Sequence, residues 1–154
     1  MDFNKEIDAF IKACNIHGVR LILVGGSAVN FHGYQRHSAD VDFWLDIHPN
    51  NLENLRLALA DLGYNLGQWP PKILKGQQNI SLKLSPQSDL ELELITSFNP
   101  GKTFEEAYAD SVQVKGKNIR KYQVLSFDDL IASKIKSARP KDLLDVQELK
   151  RINK

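Results

Sequence analysis

The sequence predicts an α+β fold, a mixed β-sheet flanked by helices with further helices at the C-terminal end. Three observations carry this. Apolar residues recur at helical spacing near both ends and over residues 49–62. Short apolar runs and strict alternation, the marks of strands, fill the stretches between. No Pro/Gly/Ser-rich linker and no repeat divides the 154 residues, so one domain is expected, with a core of about 18–125 and a helical segment of about 126–154.

Residues 3–14 place Ile7, Phe10, Ile11 and Cys14 on one helical face, closed by His17 and Gly18. Residues 20–24 read as a buried strand. Gly25 and Gly26 turn the chain into a short helix over 28–32, stopped at Gly33, and 34–39 is a polar loop. Residues 40–45 alternate acid with apolar and form a second strand. Residues 49–62 form a helix with a Leu52, Leu55, Leu59, Leu62 stripe and Gly63 as its cap. Alternation over 79–84 and 90–95, around a turn at 86–89, predicts a hairpin. Thr103 to Glu106 is a capping box, and 112–124 is a second hairpin turning near Gly116. Ser126 to Asp129 is a possible second box, opening a helix to about residue 138. Pro140 starts the last helix, with Asp142 in its first turn and Leu143, Val146, Leu149 and Ile152 as its expected stripe.

Twenty basic residues against nineteen acidic ones give no global pull towards nucleic acid or membrane. No apolar run approaches the roughly 20 residues of a span, and the N-terminus is no signal peptide. The single cysteine, Cys14, forms no internal disulfide and reads as a half-buried structural thiol; a soluble cytoplasmic protein is expected.

Chemistry concentrates in three short stretches. Gly25, Gly26 and Ser27 follow a buried strand and open a helix, where backbone amides can hold an anion, although a plain structural turn has the same residues. Asp40 and Asp42 lie two apart on a strand and so share a face. Paired carboxylates are costly without a cation, and magnesium takes one or two of them plus phosphates. A solvated strand face is the alternative. Asp89, Glu91 and Glu93 share a face of a third strand, which would complete a metal site only if the two strands were neighbours. Lys115, Lys117, Arg120 and Lys121 cluster at the second hairpin, as phosphate contacts or a solvated tip; Trp44 and Trp69 are core or base-stacking residues, Trp44 sharing the face of Asp42.

Gly25-Gly26-Ser27-Ala28, His32-Gly33, Arg36, Ser38 and Asp40-Val41-Asp42-Phe43 together resemble the nucleotidyltransferase superfamily related to DNA polymerase β. More narrowly, they resemble small AbiEii-type and minimal nucleotidyltransferases of toxin–antitoxin systems, as do residues 130–134 and 139–145. The resemblance implies the nucleotidyltransferase fold and transfer of a nucleotidyl group from a nucleoside triphosphate such as ATP, with two magnesium ions. It implies that Gly25, Gly26 and Ser27 hold the triphosphate, that Asp40 and Asp42 ligate metal, and that Glu93 is the third ligand or the base. Glu93 stands where the family usually has aspartate, which places its carboxylate about a bond length further out. Lys134 and Lys141 face the phosphates or acceptor, or are ordinary exposed lysines. Arg36 is an anion clamp or a loop tie, and His32 a structural histidine or one that orients the loop. The acceptor implied is a protein toxin partner, an RNA end or a small molecule. Two other readings stand beside the enzyme: a module of this fold that binds nucleotide or a partner without turnover, and a purely structural acid face.

Overall fold

The computed structural model describes residues 4–35, 40–84, 90–116 and 120–154. In chain order they form α1 (Lys5–His17), β1 (Leu21–Val24), α2 (Gly25–Phe31), β2 (Asp40–Leu45), α3 (Pro49–Asp61), α4 (Pro71–Leu74), β3 (Ile80–Leu82), β4 (Glu91–Ile95), α5 (Phe104–Asp110), β5 (Val112–Lys115), β6 (Lys121–Val124), α6 (Phe127–Ser137) and α7 (Pro140–Ile152). The strands make one mixed sheet in the order β3-β4-β2-β1-β6-β5. The pairs β1–β2, β3–β4 and β5–β6 are antiparallel, while β2–β4 and β1–β6 are parallel. This is the mixed α+β architecture expected, consistent with a nucleotidyltransferase-like fold.

Local chemistry sets the element ends. The Asn4 side chain accepts from the Ile7 amide and starts α1, which Gly18 ends at φ +66°. The face of α1 carrying Ile7, Phe10, Ile11 and Cys14 is buried, with Phe10 and Phe43 ring centroids 6.0 Å apart. Each such fully buried side chain contributes about 1.5–3 kcal/mol relative to exposure. Cys14 is fully buried rather than half-buried. Asn51, buried on α3, accepts from the Arg20 amide (2.7 Å) and donates to the Arg20 and Asp46 carbonyls (3.0 and 2.7 Å). It therefore ties the start of β1 to the end of β2. Asn15 clasps β6 in the same way, bonding both the amide and the carbonyl of Lys121.

Several boundaries differ from expectation. Helix α2 begins at Gly25, three residues early, because the glycine at φ +65° lets β1 pass directly into the helix. β3 is shorter than expected, α4 was not anticipated, and the 86–89 turn lies outside the described residues. Both hairpins pair as expected. The Thr103–Glu106 capping box is complete, while the Ser126 side chain accepts from the Asp129 amide. The largest correction concerns α7. Its buried face carries Asp142, Asp145 and Leu149, while Leu143 is 50% exposed and Ile152 is also exposed. The expected stripe did not include the aspartates, but Lys134 of α6 pairs with both inside the fold. Among the described residues no helix is long and apolar enough to cross a membrane.

Candidate functional site

The site is built where β1 ends beside β2. Val24 pairs with Asp42, and the next residue, Gly25, turns into α2. A Cβ placed on Gly25 would lie 2.4 Å from Asp42 Oδ2, so only a glycine lets the backbone pass this close to the carboxylate. On the other side of β2, parallel pairing with β4 sets Asp42 opposite Glu93 and Asp40 opposite Glu91. The strands whose adjacency the sequence left open are thus direct neighbours. β3 then sets Ser81 opposite Glu93. One row across four strands reads Ser81, Glu93, Asp42, Val24. The Ser81 hydroxyl donates to Glu93 Oε2 at 2.6 Å. Nothing in the sequence singled out Ser81; its only signal was its place in the β3 alternation.

The electrostatics of Asp42 follow from this packing. Burial is the largest cause pushing its carboxyl up, to about 6; the charges of Asp40 and Glu93 add to it, and Lys134 and Lys141 oppose it. Asp42 is therefore the focus of a like-charge group that a cation would relieve.

Asp42 and Gly25 open onto a cleft of about 390 Å³ between the sheet and the α6–α7 pair. Lys134, Ser137, Arg139 and Asp142 form its helical wall, and Val24, Ile95, Phe98 and Leu130 its apolar part. Lys134 is not an ordinary exposed lysine. It is 7% exposed, with Nζ 3.3 Å from Asp142 Oδ1 and 3.1 Å from Asp145 Oδ2. Asp142 also accepts from Arg139, whose Nε lies 2.7 Å from Oδ2 and whose Nη2 lies 3.2 Å from Oδ1. Burial pushes the Asp142 carboxyl up, but its bonds from Arg139, Ser137 and Lys134 outweigh burial and hold it at about 2. Arg139, placed by the sequence in the resembling stretch 139–145 but given no role there, is 59% exposed at this wall with its fork fixed by Asp142. Lys141 is exposed and within charge reach of Asp42.

The remaining candidates separate from the cleft lining. Gly26 and Ser27 are buried in α2, Ser27 to 6% exposure. Arg36, Ser38, Asp89 and Lys117 lie outside the described residues. His32 is structural: its Nε2–H donates to the Leu125 carbonyl at 2.7 Å and its ring meets Phe31 and Phe127 edge-on. Trp44 is buried against Phe98 and Phe104, and the Trp69 indole donates to the Leu52 carbonyl. Arg120, from the basic hairpin, pairs with Asp8.

The donors gathered here are carboxylate oxygens, the ligand type of a hard cation such as magnesium. Two strand carboxylates share a face beside a third, in an environment that penalises their joint charge. Yet among the described residues no three His, Cys, Asp or Glu side chains converge into a ready ligand set.

A mixed sheet carrying a strand-to-helix glycine turn against an Asp-x-Asp strand, with helices closing a cleft beside it, is consistent with a nucleotidyltransferase-like fold. The chain belongs to the family described as nucleotidyltransferase of unknown function (DUF6036), whose model matches residues 3–154. No curated protein matches the chain.

Proposed function

We propose that this chain is a magnesium-dependent nucleotidyltransferase that moves a nucleoside monophosphate from a nucleoside triphosphate to a hydroxyl of an acceptor. The observation that carries this is the close approach of the Gly25 backbone to the Asp42 carboxylate, the member of the same-face acid group that lines the cleft, with Lys134 and Arg139 on the opposite wall. Asp40 and Asp42 would hold magnesium, with Glu93 beside them. When bound, magnesium supplies neutralisation of the phosphates and lowers the pKa of an acceptor hydroxyl. The protein's own part is positioning and charge. Arg139 and Lys141 present cations to the polyphosphate. Lys134, neutralised by two aspartates, holds the helical wall in place. Gly25 brings backbone close to the substrate, with Gly26 and Ser27 supporting the turn from within α2. Glu93 takes the proton of the attacking hydroxyl, its carboxylate steered by the Ser81 hydroxyl. The acceptor is a protein, an RNA end or a small molecule, and the AbiEii-type resemblance suggests a toxin–antitoxin partner.

A second reading is favoured by one observation. Glu93 bonds Ser81, and no third ligand is gathered about Asp40 and Asp42 among the described residues. A module that binds nucleotide without turnover has this geometry too. The two separate when purified protein, magnesium, each α-labelled nucleoside triphosphate and cell extract are combined, beside an Asp40→Asn/Asp42→Asn control. Label passing to a macromolecule only with wild type supports the enzyme. Magnesium-dependent binding without transfer supports the module, and no binding at all removes both.

A further inference from the structure

The apolar half of the cleft has no part in the chemistry above. Its aromatic member is Phe98, a half-buried ring just beyond the end of β4. Phe98 does not stand alone. Its centroid lies 5.1 Å from that of Trp44, which meets Phe104 edge-on at 5.2 Å, and Phe104 stacks on Tyr108 at 5.6 Å. The Arg20 guanidinium covers the far end, 4.5 Å from the Tyr108 centroid, and bonds Glu105. Trp44 and Phe104 are thereby held from behind, and Phe98 ends a rigid aromatic file at a ligand-sized cavity. Trp44, on the strand face of Asp42, is itself buried and does not line the cleft; Phe98 is the ring of this file that does.

We propose that Phe98 is the platform on which the nucleobase stacks, so that the cleft takes nucleoside triphosphates in preference to a bare polyphosphate. This rests on the reading of Asp42, Gly25 and Arg139 as the phosphate end, and it names what occupies the other end. The ring offers a π-face and no hydrogen-bonding group, so it grips all four bases, purines most strongly through their larger stacking area.

The test compares binding of ATP, GTP, CTP and UTP with binding of inorganic triphosphate, all with magnesium, by calorimetry. Wild type, Phe98→Leu and Phe98→Tyr are used, with thermal unfolding to confirm that each folds. Wild type is expected to bind ATP at least about tenfold more tightly than triphosphate, the scale of one base–aromatic stack. Phe98→Leu, which keeps apolar bulk, is expected to remove most of that difference and leave triphosphate binding unchanged. Phe98→Tyr restores it. Equal wild-type affinity for ATP and triphosphate overturns the platform while sparing the phosphate end. So does a Phe98→Leu protein that keeps the wild-type preference, or that loses triphosphate binding equally. Wild type that binds neither ligand overturns the nucleotide reading of the site, and the platform with it.

Discussion

Replacing Asp42 by asparagine is expected to stabilise the metal-free fold at neutral pH. The Asp42 carboxyl is raised from 3.8 to about 6, chiefly by burial and then by Asp40 and Glu93. A group raised in the folded state contributes stability that is complete below its unfolded value and is lost as pH climbs through the folded one. Wild type should therefore lose stability between about pH 4 and pH 7 through this group. A shift of about two units corresponds to about 3 kcal/mol, and partial solvent exposure of the side chain reduces it to about 1–2 kcal/mol. In a chain of this size that is about 3–6 °C in Tm. The assay is thermal unfolding from pH 4 to 8 in chelator, for wild type and Asp42→Asn. The variant should lie above wild type at pH 7.5 and converge with it towards pH 4. Magnesium at pH 7.5 should then raise the Tm of wild type and leave the variant where it was. An Asp42→Asn protein that melts below wild type at pH 7.5, or an unchanged difference across the pH range, would refute the like-charge account.

Other expectations follow from the same contacts. Gly25→Ala places a methyl against Asp42 Oδ2 at φ +65°; it should cost about 1–2 kcal/mol and weaken magnesium-dependent nucleotide binding more than its Tm loss implies. Asp142→Ala leaves buried Lys134 short of a partner and should destabilise by about 3–5 kcal/mol in denaturant titration, with Asp145→Ala in the same direction. Ser81→Ala removes a hydrogen bond at an exposed edge; it should cost less than about 1 kcal/mol while shifting the pH profile of nucleotidyl transfer, and Ser81→Thr should restore that profile. Cys14 is fully buried and its thiol is pushed up by burial, so it should resist alkylation at pH 8 until the chain is unfolded.

The sequence made legible whatever depends on a few neighbouring residues. The Asp40–Asp42 face follows from strand periodicity, the ends of α1 and α5 from Asn4, Gly18 and Thr103, and the glycine turn from its place after an apolar run. What depended on distant pairing was out of reach. That Glu93 lies opposite Asp42 rests on β4 docking parallel to β2, which no local pattern encodes. Lys134, Asp142 and Asp145 each look solvent-facing alone and are buried only as a mutually neutralising group. Phe98 follows a strand among polar residues, and only the folded file of rings shows where it stands.

The parallel pairing of β2 with β4 also bears on how the protein reaches its working state. Asp42 and Glu93 stand 51 positions apart in the chain (93 − 42) and meet only after a crossover that includes α3 and α4. Closing such a long loop is slow compared with forming helices or hairpins, so the acid group should assemble late on the folding route. An unfolded chain then offers magnesium the Asp40–Asp42 pair without Glu93 opposite it and without the fixed face of a strand. The ion would act as a ligand of the finished molecule, drawing the equilibrium towards it by mass action. Its effect should fall on the unfolding rate and leave refolding almost untouched.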